Sequence, residues 1–194
     1  MQEERDGSAI VYCEGGFNTT IGKTANGLVR FSGRYRVLSV IDSSHAGQDA
    51  GMTLEGRHAG IPVFASVEEA VSKARSLGQS PEFLVIGLAP DGGKLPTQAR
   101  NDVRLAIELG LNVDSGLHDF LSEDSEIAAL AAARGVHLRD IRKPKPVHEL
   151  HFFSRKIEEV TSLRVAVLGT DSAVGKRTTA WILVNALEDA GYAA

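Results

Sequence analysis

Six short apolar runs, each about as long as a β-strand, alternate with segments of helical pattern over residues 8–141. This alternation constrains the fold more than any other feature of the chain. The runs are nearly continuous in apolar residues and rich in valine and isoleucine, which is typical of strands buried on both faces of a parallel sheet. The sequence therefore predicts an α/β fold built on a Rossmann-like parallel sheet. The predicted strands span 8–13, 35–42, 61–65, 82–88, 111–115 and 136–141.

Helix-start signals lie between the later strands. Ser66 and Glu69 have the spacing of a capping box, in which each side chain accepts a hydrogen bond from the other residue's backbone amide. Pro96 is typical of the first turn of a helix. We predict that the last two helices of this region run from Pro96 to about Leu109 and from Asp124 to Arg134, each followed by a glycine that can end it.

The pattern breaks at residues 142–146 (RKPKP), because proline cannot continue a helix or a central strand. We interpret these charges as solvated. Further on, residues 163–168 predict a strand, and residues 176–190 predict a helix that is apolar almost all round and so is expected to be buried on several sides. The predicted division is a Rossmann-like domain at 1–141, a linker at 142–162 and the first strand, loop and helix of a P-loop domain at 163–194.

The loop GTDSAVGKRTT (169–179) joins this strand to this helix. A glycine-rich turn that opens a helix directs backbone amides and the positive end of the helix at an anion, and Lys176 adds a point charge. The glycine spacing is one residue longer than in the usual Walker loop and resembles the longer loop of dethiobiotin synthetase. The predicted cofactor-binding residues are Gly169, Thr170, Asp171, Ser172, Gly175, Lys176, Arg177, Thr178 and Thr179.

Arg177 occupies the position at which a nucleotide hydrolase places the hydroxyl that coordinates magnesium. Thr178 lies about 100° further around the helix, so an ordinary magnesium site is disfavoured. An extra cation instead favours a ligand with more phosphate charge and no metal. The phosphate ligand is therefore either a metal-free cofactor or ATP with magnesium.

A second stretch, residues 16–24, repeats the glycine-to-glycine spacing directly after the first strand. It could form a second phosphate site. It lacks the Gly-x-Gly-x-x-Gly fingerprint of dinucleotide binding, although Asp42 follows at the distance at which a Rossmann acid meets ribose. We favour a helix-capping turn or a small-molecule site.

Polar residues follow three of the predicted strands at their carboxyl ends, which is the edge of an open parallel sheet where ligands bind. Each residue alone is compatible with a turn or a helix cap, but together they predict a substrate site. The predicted substrate-binding residues are Asp42, Ser43, Ser44, Gly92, Gly93, Ser115 and Gly116.

Composition excludes several classes of function. A net charge of -4 over 194 residues does not support nucleic acid as a partner, and no apolar run is long enough to span a membrane. Cys13 is the only cysteine, so no internal disulfide can form; we expect it to be a small core residue of a cytoplasmic protein. His148 and His151 have helical spacing, but no cysteine or acid cluster completes a coordination shell, and no metal site is predicted.

Five ordered motifs resemble one protein family. GKTANGLVR, VIDSSHAGQDAG, LVIGLAPDGGKLP, SGLHDFLSED and GTDSAVGKRTT are similar to segments of the D-glutamate N-acetyltransferase-like family, formerly domain of unknown function 1611. The resemblance covers nearly the whole chain and implies a Rossmann-like domain followed by a P-loop domain. Family members are longer, which agrees with a second expectation: the residues after the linker are too few for a second core, so we expect the chain to be a fragment.

The resemblance implies transfer of an acetyl group from acetyl-CoA to the amine of D-glutamate, with the P-loop holding the phosphates of coenzyme A. Such a reaction needs a base, and His118 and His45 are the candidates, because the intrinsic pKa of histidine lies near neutrality. An ATP-dependent ligase or kinase of dethiobiotin-synthetase type is the alternative, and a nucleotide-binding regulatory protein without chemistry is another. We expect a small-molecule substrate and a homo-oligomer, and an inactive fragment.

Overall fold

All six predicted strands form one parallel sheet in the computed structural model, which describes residues 6–171 and 174–194, with Asp91 described by its backbone alone. The strands are β1 (Gly7–Tyr12), β2 (Tyr35–Ile41), β3 (Val63–Phe64), β4 (Phe83–Ile86), β5 (Asn112–Ser115) and β6 (Leu138–Asp140). They pair in the order β3-β2-β1-β4-β5-β6, and every pair is parallel. This is the strand order of the Rossmann fold, so the predicted fold class is confirmed.

Helices connect successive strands and cover both faces of the sheet. They are α1 (Lys23–Phe31), α2 (Ala50–Glu55), α3 (Val67–Ser76), α4 (Thr97–Glu108), α5 (Ser125–Arg134) and, after the sheet, α6 (Lys176–Asp189). Because parallel crossovers are right-handed and the chain returns from β3 to the other side of β1 to form β4, α1 and α2 lie on one face and α3, α4 and α5 on the other. The contacts agree, since α1 packs on α2, and α4 packs on α3 and α5.

The capping box at the start of α3 forms with a shift of one residue. The Ser66 hydroxyl accepts a hydrogen bond from the Glu69 amide at 3.2 Å, as predicted. The Glu69 carboxylate, however, accepts from the amide of Ala65 at 3.1 Å rather than from that of Ser66. The helix start is the predicted one, and both side chains satisfy amides near it.

The core lies on both sides of the central strands. Ile10 and Val11 of β1 point to opposite faces and are both fully buried, as the continuous apolar runs predict. Tyr12 continues this strand, and its hydroxyl donates to the Asp102 carboxylate of α4 at 2.6 Å. Cys13 is also fully buried, as predicted.

An ion pair ties β5 to β6, with its acid buried and its guanidinium partly exposed. Asp114 is 2% exposed, and its carboxylate accepts from the Arg139 guanidinium, with Nε at 2.9 Å, and from the Tyr35 hydroxyl. Arg139 also pairs with Asp6 at 2.9 Å. Burial and the neighbouring Asp114 carboxylate raise the pKa of Tyr35, so the phenol remains a hydrogen-bond donor. Loss of one partner would leave a buried charge without compensation.

The chain divides into two units between Lys145 and Pro146, inside the predicted linker. In the second unit, α6 begins and ends within one residue of its predicted bounds. Residues 163–168, predicted as a strand, make no strand pairing, because the described part of this unit contains no other strand to pair with. Trp181 and Ile182 of α6 are 58% and 60% exposed, which differs from the predicted burial of this helix.

Among the described residues, no helix combines the length and the apolar character that crossing a membrane requires.

Candidate functional site

One carboxylate joins the loops that follow β1 and β2 at the carboxyl edge of the sheet. Asp42 directly follows β2 and is fully buried. One of its oxygens accepts from the amides of Gly15 at 3.1 Å and Ser44 at 3.2 Å. The other accepts from the amide of Phe17 at 3.2 Å and from Nδ1 of His45 at 2.8 Å. The four donors compensate the burial of the charge and fix both loops.

This arrangement bears on the glycine-rich stretch at residues 16–24. In a dinucleotide-binding fold the amides of this loop receive a pyrophosphate and the acid after β2 receives a ribose. Here Asp42 itself accepts from the Phe17 amide of this stretch and from the Gly15 amide just before it. The loop also closes on itself: the amide of Thr19 donates to the Gly16 carbonyl, and the amide of Gly22 donates to the Thr19 carbonyl, both at 3.1 Å. These bonds engage amides that a second phosphate site would need.

His45 is oriented by Asp42. An ionised carboxylate only accepts hydrogen bonds, so its 2.8 Å contact with Nδ1 places the imidazole proton on that nitrogen and the lone pair on Nε2. The ring packs edge-on against Phe17, with ring centroids 6.3 Å apart, and a quarter of the side chain is exposed. An oriented, partly exposed imidazole with a free lone pair is suited to accept a proton.

Ser43 is held by an acid that the sequence analysis missed. Its amide donates to the Glu14 carboxylate at 2.8 Å, and its hydroxyl donates to the other oxygen of the same carboxylate. Glu14 follows β1 just as Ser43 follows β2. Its position after a predicted strand, at the carboxyl edge of the sheet, could have identified it as a site residue. Both residues are at the surface, and the Ser43 hydroxyl already has a partner.

His118 belongs to a second cluster, after β4, β5 and β6. Its amide donates to the Gly93 carbonyl at 3.0 Å, and a Cβ added at Gly93 would lie 2.6 Å from the ring carbon Cδ2 of His118. Arg142 lies 3.2 Å from Nε2 of the same ring. Because a guanidinium only donates, Nε2 is the acceptor here and the neutral ring carries its proton on Nδ1. Among the described residues no contact joins His118 to His45, so the two predicted bases lie in separate clusters.

The remaining predicted substrate-binding residues differ in their exposure to solvent. Ser115 is fully buried, and its hydroxyl accepts from the Leu117 amide at 3.3 Å, which turns the chain after β5. Ser44 and Gly92 are exposed, and Gly92 has a φ of 73°, a conformation that suits glycine. Gly116 is half-buried, with open space where a side chain would lie.

The charges predicted as simply solvated after β6 make specific contacts. Lys143 donates to the Ser122 hydroxyl at 2.9 Å and pairs with Glu123 at 3.2 Å. Arg142 contacts His118, as described above. Neither the Lys143 contacts nor the Arg142 contact was predicted, because the sequence of a charged segment beside two prolines does not indicate which loop it will contact.

The predicted phosphate loop opens α6 without a side-chain cap. Gly175 precedes the helix with a φ of 89° and, as a glycine, contributes no side-chain cap. The first amides of a helix lack partners within the helix, an arrangement that can receive an anion. Lys176 donates to the carbonyl oxygen of Asp171. A Cβ at Gly169 would lie 2.8 Å from Val174, so the turn requires glycine there.

The other predicted residues of this loop are at the surface. Thr170, Arg177, Thr178 and Thr179 are exposed, and the Thr179 amide donates to the Gly175 carbonyl at 2.9 Å as the first bond of the helix. Ser172 lies outside the described residues. Within the described ranges no group of three histidine, cysteine or acidic side chains has the arrangement of a metal site. The chemistry of the loop, a helix start beside two cationic side chains, fits a phosphate group.

Comparison with curated proteins gives two matches to proteins named D-glutamate N-acetyltransferase. The one from Tritonibacter scottomollicae is 33% identical over 113 residues, which is 58% of this chain and 32% of that protein. The one from a Pseudoalteromonas species is 33% identical over 119 residues, which is 61% of this chain and 34% of that protein. The matches thus span about a third of the length of these relatives.

A solved structure covers more of the chain. The crystal structure of a DUF1611 family protein from Anabaena variabilis is similar with a TM-score of 0.78 and 31% sequence identity, over 95% of this chain and 50% of that one. A family model described as a domain of unknown function (DUF1611_N), a Rossmann-like domain, matches residues 43–144. A second model, described as a domain of unknown function (DUF1611_C), a P-loop domain, matches residues 151–194. The chain belongs to the DUF1611 family, with a Rossmann-like domain followed by a P-loop domain.

Proposed function

We propose that the full-length protein transfers an acetyl group from acetyl-CoA to the amine of D-glutamate or a related amino acid. The observation that carries this proposal is the 33% identity to two proteins named D-glutamate N-acetyltransferase. The geometry of both units is compatible with such a reaction. One unit offers an oriented imidazole and the other an anion-binding loop.

The loop before α6 binds the phosphates of coenzyme A in this proposal. Acetyl-CoA supplies the acetyl group as a thioester and carries a pyrophosphate. The uncapped amides at the start of α6 meet this charge, and Lys176 and Arg177 neutralise it. With Arg177 in the place of a magnesium-binding hydroxyl, the cation is supplied by the chain and no metal is needed.

His45 takes the proton of the acceptor amine. As the amine nitrogen bonds to the carbonyl carbon, the carbon–sulfur bond breaks, the sulfur leaves as a thiolate, and the amine proton moves to Nε2 of His45. Asp42 keeps the other ring nitrogen protonated and stabilises the imidazolium that forms. His118 is less suited to this step, because its Nε2 already accepts from Arg142.

Replacement of His45 tests this assignment. His45→Gln should lower kcat for acetyl transfer by about 100-fold or more, the usual contribution of a general base, with little change in KM for D-glutamate. His137→Gln is the matched control, because His137 is an exposed histidine at the opposite edge of the sheet. The assignment is wrong if His118→Gln causes the loss in kcat and His45→Gln does not.

A cofactor comparison tests the reaction class. The full-length protein is mixed with D-glutamate and either acetyl-CoA or ATP with magnesium, and free thiol and ADP are measured. Thiol release without ADP is the expected result. The alternative, a ligase or kinase of dethiobiotin-synthetase type, is favoured by the Gly-Thr-Asp start of the loop, and it predicts ADP release instead. Binding of either cofactor without product in both assays would favour a regulatory protein.

A further inference from the structure

Arg142 lies at the carboxyl edge of the sheet, and no acid whose side chain the structure describes pairs with it. It follows β6 directly, and the amide of the preceding residue, Ile141, donates to the Ser115 carbonyl at 2.8 Å, which anchors it beside the end of β5. In the part of the chain that the structure describes, its guanidinium makes no ion pair. Five other arginines of the same unit pair with acids: Arg30 with Glu55, Arg34 with Asp6, Arg100 with Asp119 and Asp124, Arg104 with Glu126, and Arg139 with Asp114. Arg142 differs from the remaining arginines in its contact with a histidine at the carboxyl edge of the sheet.

The one contact of this guanidinium leaves most of its donors unused. Arg142 donates to Nε2 of His118 at 3.2 Å, and a guanidinium has five N–H groups. The His118 ring, in turn, carries its proton on Nδ1 and so adds a second donor. Both side chains are exposed. The pair therefore offers donors and positive charge to solvent, which is the chemistry that recognises a carboxylate.

The histidine of this pair is held rigidly. Gly93 packs flush against the His118 ring, and its carbonyl accepts from the amides of both His118 and Asp119, at 3.0 and 3.2 Å. The acids of the neighbouring loop have basic partners of their own, since Asp119 pairs with Arg100 at 3.6 Å and Glu123 pairs with Lys143. Those acids are therefore engaged and do not compete for Arg142.

We propose that Arg142 and His118 form a subsite that binds a carboxylate of the acceptor amino acid. The planar fork formed by the unused N–H groups of the guanidinium holds the two carboxylate oxygens, and the contact with Nε2 of His118 positions that fork. The inference rests on the proposed function for the identity of the acceptor, but the subsite itself requires only a small carboxylate. It gives His118 a role in positioning Arg142 and leaves proton transfer to His45.

Glutarate is the probe that tests the subsite, because it carries both carboxylates of glutamate but has no amine to acetylate. Isothermal titration calorimetry on the full-length protein should show glutarate binding that Arg142→Gln weakens at least tenfold. Arg142→Lys, which keeps the charge and loses the fork, should give an intermediate Kd. Arg134→Gln is the matched control, because Arg134 is an exposed arginine at the end of α5, and this variant should bind as the wild type does. Absence of glutarate binding, or an equal Kd for Arg142→Gln, overturns the proposal.

Two further measurements separate this proposal from the proposed function. In the wild-type protein, glutarate should shift the nuclear magnetic resonance signals of the His118 ring and the Gly93 amide; shifts confined to other regions contradict the subsite. In the acetyl-transfer assay, Arg142→Gln should raise KM for D-glutamate with little effect on kcat. An unchanged KM removes the subsite and leaves the function standing, whereas glutarate binding without any acetyl transfer removes the function and leaves the carboxylate subsite.

Discussion

Asp42 illustrates how much of the site depends on single side chains. From the sequence, Asp42 is predicted to follow a strand and to bind the substrate. In the structure its four hydrogen bonds all come from the protein, so it shapes the site by holding the loops of Gly15 and Phe17 and by orienting His45. A strand end can be predicted from an apolar run, but the donors that reach a carboxylate depend on loop conformations that no local pattern specifies.

Gly93 is the residue whose replacement should disturb the second cluster most. Its φ of 64° is unfavourable for any residue with a side chain, and an added Cβ would lie 2.6 Å from the His118 ring. Gly93→Ala should therefore lower the free energy of unfolding by about 1–3 kcal/mol, the range for strained or overpacked positions, and displace His118. Urea unfolding measures this.

Gly116→Ala is the matched control for that substitution, because a Cβ at Gly116 meets nothing within 4 Å. Its free energy of unfolding should stay within about 0.5 kcal/mol of the wild type. Equal stability losses for the two variants would show that the close approach at Gly93 is not the cause.

Cys13 should be unreactive in the folded protein. Burial raises the pKa of its thiol to about 12, with the Asp42 and Glu14 charges as further causes, so almost no thiolate exists near pH 8. A thiol reagent should react slowly with the native protein and rapidly in denaturant. Since the folded pKa is raised above that of the unfolded chain, the stability from this group is complete below about pH 9 and is lost as pH rises towards 12. Fast labelling of the native protein at pH 8 would contradict its burial.

Secondary structure elements were predicted well wherever apolar residues recur with the period of a strand or a helix. All six strands of the sheet and the helices α3, α4, α5 and α6 appear at their predicted places. The first two helices were not predicted. α1 carries Asn26 and Gly27 in its middle, and α2 is six residues long with Gly51 near its start, so helix propensity is low in both. Packing against the sheet, rather than local preference, forms these helices.

The proposed cofactor site at the start of α6 can be tested by replacing Lys176. Lys176→Ala should raise the Kd for coenzyme A by on the order of 10–100-fold, the loss expected for a charge-assisted hydrogen bond to phosphate. Lys156→Ala, an exposed lysine in the same unit, is the control and should bind normally. Binding should also persist in the presence of a metal chelator, because the loop offers Arg177 where a magnesium-binding hydroxyl would be needed. An unchanged Kd for Lys176→Ala would remove the loop from the cofactor site.

For the whole molecule, the fold class followed from the sequence, while the contacts within each polar cluster did not. The alternation of strands and helices predicted a Rossmann-like sheet, and its carboxyl edge was predicted to hold the site. That edge holds two clusters, one around Asp42 and His45 and the other around His118 and Arg142. The second depends on a residue after the last strand that contacts a loop 24 positions earlier in the chain, and such a contact has no periodic signature.

The proposed transfer of an acetyl group from acetyl-CoA to an amino acid amine can be followed directly. The full-length protein is incubated with D-glutamate and acetyl-CoA labelled with carbon-13 in the acetyl carbonyl, and the label is followed by nuclear magnetic resonance. We expect labelled N-acetyl-D-glutamate to accumulate together with an equal amount of free coenzyme A thiol, without ATP or added metal. Label that stays in acetyl-CoA while the folded protein binds the cofactor, or product that forms only when ATP is added, would contradict it.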